Sequence, residues 1–319
     1  MHVIRGRHRI SSQLGRLLRA PAVAIGNFDG VHHGHQALIV EAGRLGHAAG
    51  NEAVVLTFDP HPARFFAPTL APPMLMSLDR RLELLGAAGA DVVVVEPFTA
   101  DFSALPAERF VAEVLRADLG ARHVVVGYDF SFGARRMGNA ALLKTLGAQL
   151  GMGVTIVQPV MVEGLVCSST KIREFVLEGR VEGAALLLGR PYETTGPVVH
   201  GLHRGRTLGF PTANLESETE LLPKPGVYAA WACSADGTRP DRWRAAVSIG
   251  SNPTFVAEGG TLPAVTVEAH LLDFEGDLYG TRLRLEYVGR LRDQRSFPSV
   301  DELLAEIKRD ITRTRELLP

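Results

Sequence analysis

Only two cysteines, Cys167 and Cys233, occur in the 319 residues, too few for a disulfide framework or a thiolate metal site. An excess of one charge is lacking as well. The 34 basic and 35 acidic side chains leave a formal net charge of -1; up to residue 188 the counts are 18 basic and 17 acidic, and beyond it 16 and 18. Neither half is therefore a basic nucleic-acid binder. Long apolar runs are missing too: Val92-Val93-Val94-Val95 is typical of the longest, far short of the roughly 20 residues that a membrane-spanning helix needs. With 46% hydrophobic and 22% charged residues and no low-complexity tract, the chain is expected to fold throughout. No nucleic-acid partner, no membrane and a reducing cytoplasm follow as expectations. The first 20 residues carry five arginines and no acid, yet they run into an apolar strand without a cleavage-site pattern, so they are expected to belong to the fold.

At this length two cores are expected. Apolar runs at Ala22–Ile25, Val54–Phe58, Val92–Val95, Val124–Val126 and Val154–Val157 alternate with segments of helical period, such as Leu78-Leu82-Leu85 and Phe110–Val114. That alternation predicts a parallel α/β sheet. After about residue 190 the pattern changes. Gly226-Val227-Tyr228, Ala245–Ile249, Val265–Leu271 and Arg282–Tyr287 read as strands without intervening helices, which predicts an antiparallel barrel. Val300, Leu303, Leu304, Ile307 and Ile311 follow helical spacing behind Asp301 and Glu302, so one amphipathic helix closes the chain. Ile172–Leu188 reads as a single helix stopped by Gly189-Arg190-Pro191, and the domain boundary is placed there, giving residues 1–188 and 189–319.

The first strand ends in Gly26-Asn27-Phe28-Asp29-Gly30-Val31-His32-His33-Gly34-His35, ahead of a helical segment. A glycine-rich turn from strand into helix aims backbone N–H groups at an anion. His32 and His35 are three apart and lie on one helical face, so both rings are placed to reach the same phosphate, either as hydrogen-bond donors or as cations. Helix capping and a zinc site built from the three histidines and Asp29 are the competing readings. Three further motifs follow: Thr57-Phe58-Asp59-Pro60-His61-Pro62, Gly127-Tyr128-Asp129-Phe130-Ser131-Phe132-Gly133, and Ser168-Ser169-Thr170-Lys171-Ile172-Arg173.

In their order and spacing these four motifs resemble the HxGH nucleotidyltransferases, and within them the prokaryotic bifunctional riboflavin kinase/FAD synthetase (FMN adenylyltransferase) family. The resemblance implies a Rossmann-like HxGH nucleotidyltransferase domain over 1–188 that joins FMN to the adenylyl group of ATP and releases pyrophosphate. It implies that ATP is held by Gly26, Asn27, Phe28, Asp29, Gly30, His32, His35, Ser168, Ser169, Thr170 and Arg173. FMN is implied at Asp59, Pro60, His61, Asp129 and Phe130, although acids that end strands also serve as loop caps. Direct attack by the FMN phosphate requires no protein nucleophile, and Cys167 reads as a small packing residue. Tyr128 and His33 depart from the family's usual residues at their positions.

The second half holds Gly196-Pro197-Val198-Val199-His200-Gly201-Leu202-His203-Arg204-Gly205-Arg206-Thr207-Leu208-Gly209-Phe210-Pro211-Thr212-Ala213-Asn214. It continues with Ser248-Ile249-Gly250-Ser251-Asn252-Pro253-Thr254-Phe255, then Val267-Glu268-Ala269-His270-Leu271-Leu272-Asp273-Phe274 and Leu278-Tyr279-Gly280. Thr212 and Asn214, two apart on an extended segment, point to the same side. Their neutral oxygens suit a hard cation only when phosphate and water complete its shell, so Mg²⁺ is expected to arrive with ATP. These motifs resemble the riboflavin kinase signature, which implies an antiparallel β-barrel riboflavin kinase domain with a C-terminal helix over 189–319. ATP would lie at Gly201, Gly205, Arg206, Gly209, Thr212 and Asn214, the metal at Thr212 and Asn214. Glu268 sits where that family places its catalytic base, and His270, on the same face, either orients it or fills the barrel rim. The substrates and products implied are riboflavin, FMN, FAD, ATP, ADP and pyrophosphate. A different adenylyltransferase, or a flavin-responsive binding protein without turnover, are the rival readings.

Overall fold

The structure is a computed structural model and describes residues 1–15, 18–201, 208–235, 242–250 and 265–319. The described chain forms two compact units, residues 1–73 with 77–168, and residues 74–76 with 169–319.

In the first unit six parallel strands are β1 (His2–Arg5), β2 (Ala22–Ile25), β3 (Ala53–Asp59), β4 (Val92–Pro97), β5 (His123–Gly127) and β6 (Gly153–Val157), in spatial order β1-β4-β3-β2-β5-β6. Strands β2, β3 and β4 are buried along nearly their whole length, as expected where helices cover both faces. From β2 the chain steps out to β3 and β4, then returns to the other side of β2 to make β5. The strand order therefore reverses between β2 and β5, and in an open parallel sheet ligands bind at such a reversal, beyond the carboxyl ends of the strands. Val23, Ile25, Val54, Leu56, Val92 and Val94 pack with Phe110, Val111, Val114 and Leu115 into one core. The segment Phe110–Val114, read from its period as helical, lies in a π-helix, Phe110–Asp118.

The arginine-rich start forms part of this fold. His2–Arg5 pairs with Val92–Val95 as a parallel edge strand. Arg7 then pairs with the buried Glu96 carboxylate and donates from Nε to Asp118 at 2.7 Å, which fastens the segment to β4 and to the π-helix.

The second unit is a closed antiparallel barrel of β7 (Tyr192–Val199), β8 (Ala213–Leu215), β9 (Gly226–Ser234), β10 (Arg242–Gly250), β11 (Thr266–Leu271) and β12 (Arg282–Arg292). Around the barrel the order is β7-β8-β11-β10-β9-β12. Its interior is filled by Val247, Ile249, Val267, Ala269, Leu283 and Leu285, all at most 1% exposed.

The single helix expected over 172–188 is two helices, α3 (Ser169–Glu178) and α4 (Val181–Leu188); the labels α1 (His33–Ala48) and α2 (Leu78–Ala87) belong to the first unit. Gly179 breaks the run with φ +77°, and a Cβ there would stand 2.7 Å from Arg290 Nε. Only glycine meets both demands without strain. Gly189, at φ 73°, ends α4 in the left-handed conformation, as read from the sequence. Both helices belong by packing to the barrel unit, and Glu182 on α4 accepts the Arg290 N–H of β12 at 3.0 Å.

The closing helix α5 (Val300–Leu317) starts at Ser299, whose Oγ accepts the Glu302 N–H. Its buried residues are Glu306, Asp310 and Thr314, while Val300 is exposed, so the centre of its packed face is more polar than the apolar spacing predicted. Arg292 on β12 is the reason, because it donates to Asp310 from Nη2 at 2.8 Å and from Nε at 3.1 Å. Among the described residues no helix is long and apolar enough to cross a membrane.

Candidate active sites

The loop after β2 carries the first site. It turns through three left-handed residues, Phe28 (φ 54°), Gly30 (φ 92°) and Val31 (φ 40°). For a β-branched residue that backbone is a true outlier, and the two non-glycine positions together hold on the order of 2–6 kcal/mol of strain. Burial keeps them there: Phe28 and Val31 are 0% and 1% exposed. Nothing in the sequence marked this strain.

Helix α1 then begins. His32 caps it, its Nδ1 accepting the His35 N–H at 3.3 Å. The capping reading of this histidine is thus present, and it commits Nδ1 as an acceptor, leaving Nε2 to carry the ring proton. The His32 and His35 rings stack with centroids 3.7 Å apart and planes 19° from parallel, and Phe28 meets His35 edge-on at 5.2 Å. A Cβ at Gly34 would stand 3.0 Å from the His32 ring and 3.4 Å from the Cys167 carbonyl oxygen, which is why the residue between the histidines lacks a side chain. Burial first, then His32 and Arg81, hold the His35 imidazole well below its ordinary pKa of 6.5. It is therefore a neutral hydrogen-bonding ring at pH 7. Among the described residues no three His, Cys, Asp or Glu side chains are grouped to hold a metal ion.

Two neighbouring loops complete this end of the sheet. Asp59 ends β3 exposed, Pro60 follows it, and His61 caps the short helix Pro62–Phe66, its Nδ1 accepting the Ala63 N–H at 3.1 Å. Beyond β5, Asp129 is exposed and Phe130 stacks on Phe132 at 5.3 Å. The Oγ of Thr57, at the end of β3, donates to the Asn27 carbonyl at 3.2 Å and ties the β3 end to the β2 loop.

Sequence reasoning missed Arg81. It lies in the first turn of α2, is 5% exposed, and donates from Nη1 to the Asn27 carbonyl at 2.9 Å and from Nη2 to the Phe58 carbonyl at 3.3 Å. Burial lowers the guanidinium pKa, while Asp29 and Asp59 raise it. The available signal was an arginine on a helix face otherwise carrying Leu82 and Leu85, which reads as a solvated charge in a single sequence.

Ser168 follows Cys167, whose carbonyl packs against Gly34, so its segment reaches the helix start in the first unit. Ser169, Thr170 and Arg173 lie on α3, which belongs by packing to the second unit.

The second site is on the outer wall of the barrel. In β11, Val267, Ala269 and Leu271 point inward, leaving Glu268 and His270 on the partly exposed face. Register sets Glu268 opposite Asn214 on β8 and opposite Ser248 on β10, so three polar side chains share one level of three adjacent strands. Gln294 Nε2 donates to Ser248 Oγ at 3.2 Å, a contact the sequence did not reveal. A Cβ at Gly201 would fall 2.2 Å from Asn214 Nδ2, so the chain crosses closely over Asn214, and Gly209 has φ +83°. Thr212 is partly exposed just ahead of β8. His270 donates from Nδ1 to the Pro211 carbonyl at 2.8 Å and meets Phe210 edge-on at 5.7 Å. These contacts hold the segment leading into Thr212, a part for His270 distinct from orienting Glu268 or filling the barrel rim. Gly205 and Arg206, with the 251–255 stretch of the kinase motif, lie outside the described residues.

Known proteins match both halves. The FAD synthetase profile matches residues 16–171 and the riboflavin kinase profile residues 188–318. The bifunctional riboflavin kinase/FMN adenylyltransferase of Pseudomonas fluorescens is 36% identical over 99% of this chain and 98% of its own length. That of Escherichia coli K12 is 37% identical over 99% of this chain and 97% of its own. A crystal structure titled as a macrolide-efflux protein from Streptococcus pneumoniae superposes with a TM-score of 0.84 at 31% identity, covering 99% of both chains. With a histidine stack at the reversal of a parallel sheet, an Asn–Glu pair on a barrel wall and full-length likeness to such enzymes, the chain belongs to the bifunctional riboflavin kinase/FMN adenylyltransferase family.

Proposed function

We propose that the family's two reactions are divided between these two centres. On the barrel wall the γ-phosphoryl group of ATP passes to the ribityl 5′-hydroxyl of riboflavin, giving FMN and ADP. At the parallel sheet the FMN phosphate attacks the α-phosphorus of a second ATP, giving FAD and pyrophosphate. The observation that carries the reading is the Asn214–Glu268 register pair in a chain that also stacks His32 on His35.

For phosphorylation, Glu268 accepts the hydroxyl proton as the oxygen attacks, a task that needs a carboxylate held on a rigid element. Gly201, Gly205, Arg206 and Gly209 bind the nucleotide. Thr212 and Asn214 hold Mg²⁺, and the donor set fits: both offer neutral hard oxygens, and ATP phosphates supply the anionic ones. The ion, when bound, neutralises phosphate charge. For adenylylation no protein nucleophile is required. His32, through Nε2, and neutral His35 donate to the reacting phosphates, while Ser168, Ser169, Thr170 and Arg173 hold the triphosphate. Asp59, Pro60, His61, Asp129 and Phe130 bind FMN. A reducing cytoplasm suits the two thiols, both free and both pushed above their ordinary pKa chiefly by burial.

By motif order, residues 1–188 adenylylate and 189–319 phosphorylate. Because α3 and α4 pack with the barrel, fragment 169–319 is expected to be the more stable kinase, while fragment 189–319 loses the Glu182 acceptor for Arg290. Chromatography of flavin products tests the whole reading. With riboflavin, Mg²⁺ and ATP the full chain is expected to make FMN and then FAD, both fragments FMN only, and 189–319 is expected to melt at the lower temperature. Excess EDTA is expected to stop FMN formation. A folded 169–319 fragment that binds riboflavin yet makes no FMN would show that the division is wrong.

A further inference from the structure

Arg81 touches both walls of the adenylylation site, and the contacts form a symmetrical set. Toward the nucleotide loop it donates to the Asn27 carbonyl and faces the Asp29 charge; toward the flavin loop it donates to the Phe58 carbonyl and faces the Asp59 charge. Two strand ends, β2 and β3, are thus joined by one guanidinium whose planar fork presents several N–H groups at fixed angles. It is also among the few buried charged side chains of the unit, and its Nε, like His35 Nδ1, is buried without a hydrogen-bond partner among the described residues. Burying a cation is costly unless its surroundings answer it. A salt bridge meant only to fasten a helix would be cheaper at the surface, where Arg80 on the same helix pairs with Glu83 at 2.6 Å.

We propose that Arg81 is a positioning residue for adenylyl transfer: it fixes the spacing between the loop that holds the ATP phosphates and the loop that holds FMN. The inference rests on the reading of the first unit as the adenylylation centre. In-line attack requires the FMN phosphate oxygen and the α-phosphorus to be held at contact distance, and a displacement of about 1 Å costs roughly 100-fold in rate. Loosening the tie leaves each loop able to bind its own ligand while spoiling their alignment. The loss therefore falls on kcat, whereas a residue that only contacted one substrate would show itself in that substrate's KM. Arg81 faces His35, Asp29 and Asp59 as its charged or titratable neighbours.

The test uses the full-length enzyme and supplied FMN with MgATP. Arg81→Met, which keeps the length but removes charge and donors, is expected to lower kcat for FAD formation about 100-fold while the KM values for FMN and MgATP stay within about threefold. The riboflavin kinase rate of the same protein is expected to be unchanged, and the retained KM values for FMN and MgATP report that the first unit is folded. Arg81→Lys keeps the charge but has no fork to span both carbonyls, and is expected to recover only partly, to a kcat about tenfold below the parent with the same KM values. Parental kcat in either folded variant, or a loss confined to KM, overturns the inference. If Arg81→Met fails to fold, Arg81→Lys decides by the same two readings. A parent enzyme that makes FMN but no FAD would instead overturn the adenylylation reading on which the inference rests.

Discussion

Glu268→Gln is expected to lower riboflavin phosphorylation by roughly 100- to 10,000-fold, the usual contribution of a positioned general base, and to leave adenylylation of supplied FMN unchanged. The replacement keeps size and hydrogen bonding but cannot accept the hydroxyl proton. Its strand also stays put, because Val267, Ala269 and Leu271 anchor β11 from inside the barrel. A folding defect is therefore not expected to mimic the effect, and the FAD-forming rate of the same protein serves as the control. A fall of less than about threefold in the kinase rate would remove Glu268 from the chemistry.

His35→Ala is expected to do the reverse, cutting FAD formation by roughly 100- to 1,000-fold, as for loss of one donor aimed at developing phosphate charge, with FMN formation intact. The stack with His32 and the edge contact from Phe28 hold the ring in place, and its depressed pKa fixes what it offers. A histidine whose pKa lies below 6.5 stays neutral above that pH and gains a proton only as the pH falls through the lowered value. The acid limb that His35 contributes to the rate of FAD formation is accordingly expected below pH 6.5, and the Ala variant is expected to lack it. FAD formation at the parental rate in His35→Ala would sink the phosphate role of the helix start.

Much of this architecture was legible because its elements are long or strongly patterned. Short apolar runs alternating with helical segments announced β2 to β6, and the loss of helical spacing after residue 190 announced the barrel. Short elements escaped. His2–Arg5 has four residues and a charged end, and is recognisable as a strand only when Val92–Val95 is seen beside it. The break at Gly179 was hidden because glycine inside an apolar period is tolerated in many helices; the approach of Arg290 is what makes it a break. For the sites, motif residues were readable and their support was not. Arg81, the left-handed Phe28 and Val31, and the Gln294–Ser248 bond all depend on elements distant in sequence meeting in space.

The two sheets differ in how they end. A closed barrel offers no free strand edge, whereas the parallel sheet stops at β1, whose neighbour β4 carries Val92-Val93-Val94-Val95. Strand β1 is short, three of its four residues are exposed, and it ends in Arg5, features that discourage another chain from adding to it. It thus shields a stretch of high β propensity and no charge, the composition that self-associates when its backbone is open. Removing residues 1–6 is expected to leave both active sites' residues in place yet turn the protein into one that scatters light on mild warming at micromolar concentration, while the full chain stays clear. The first four-residue strand would then be what keeps β4 from pairing with a second chain.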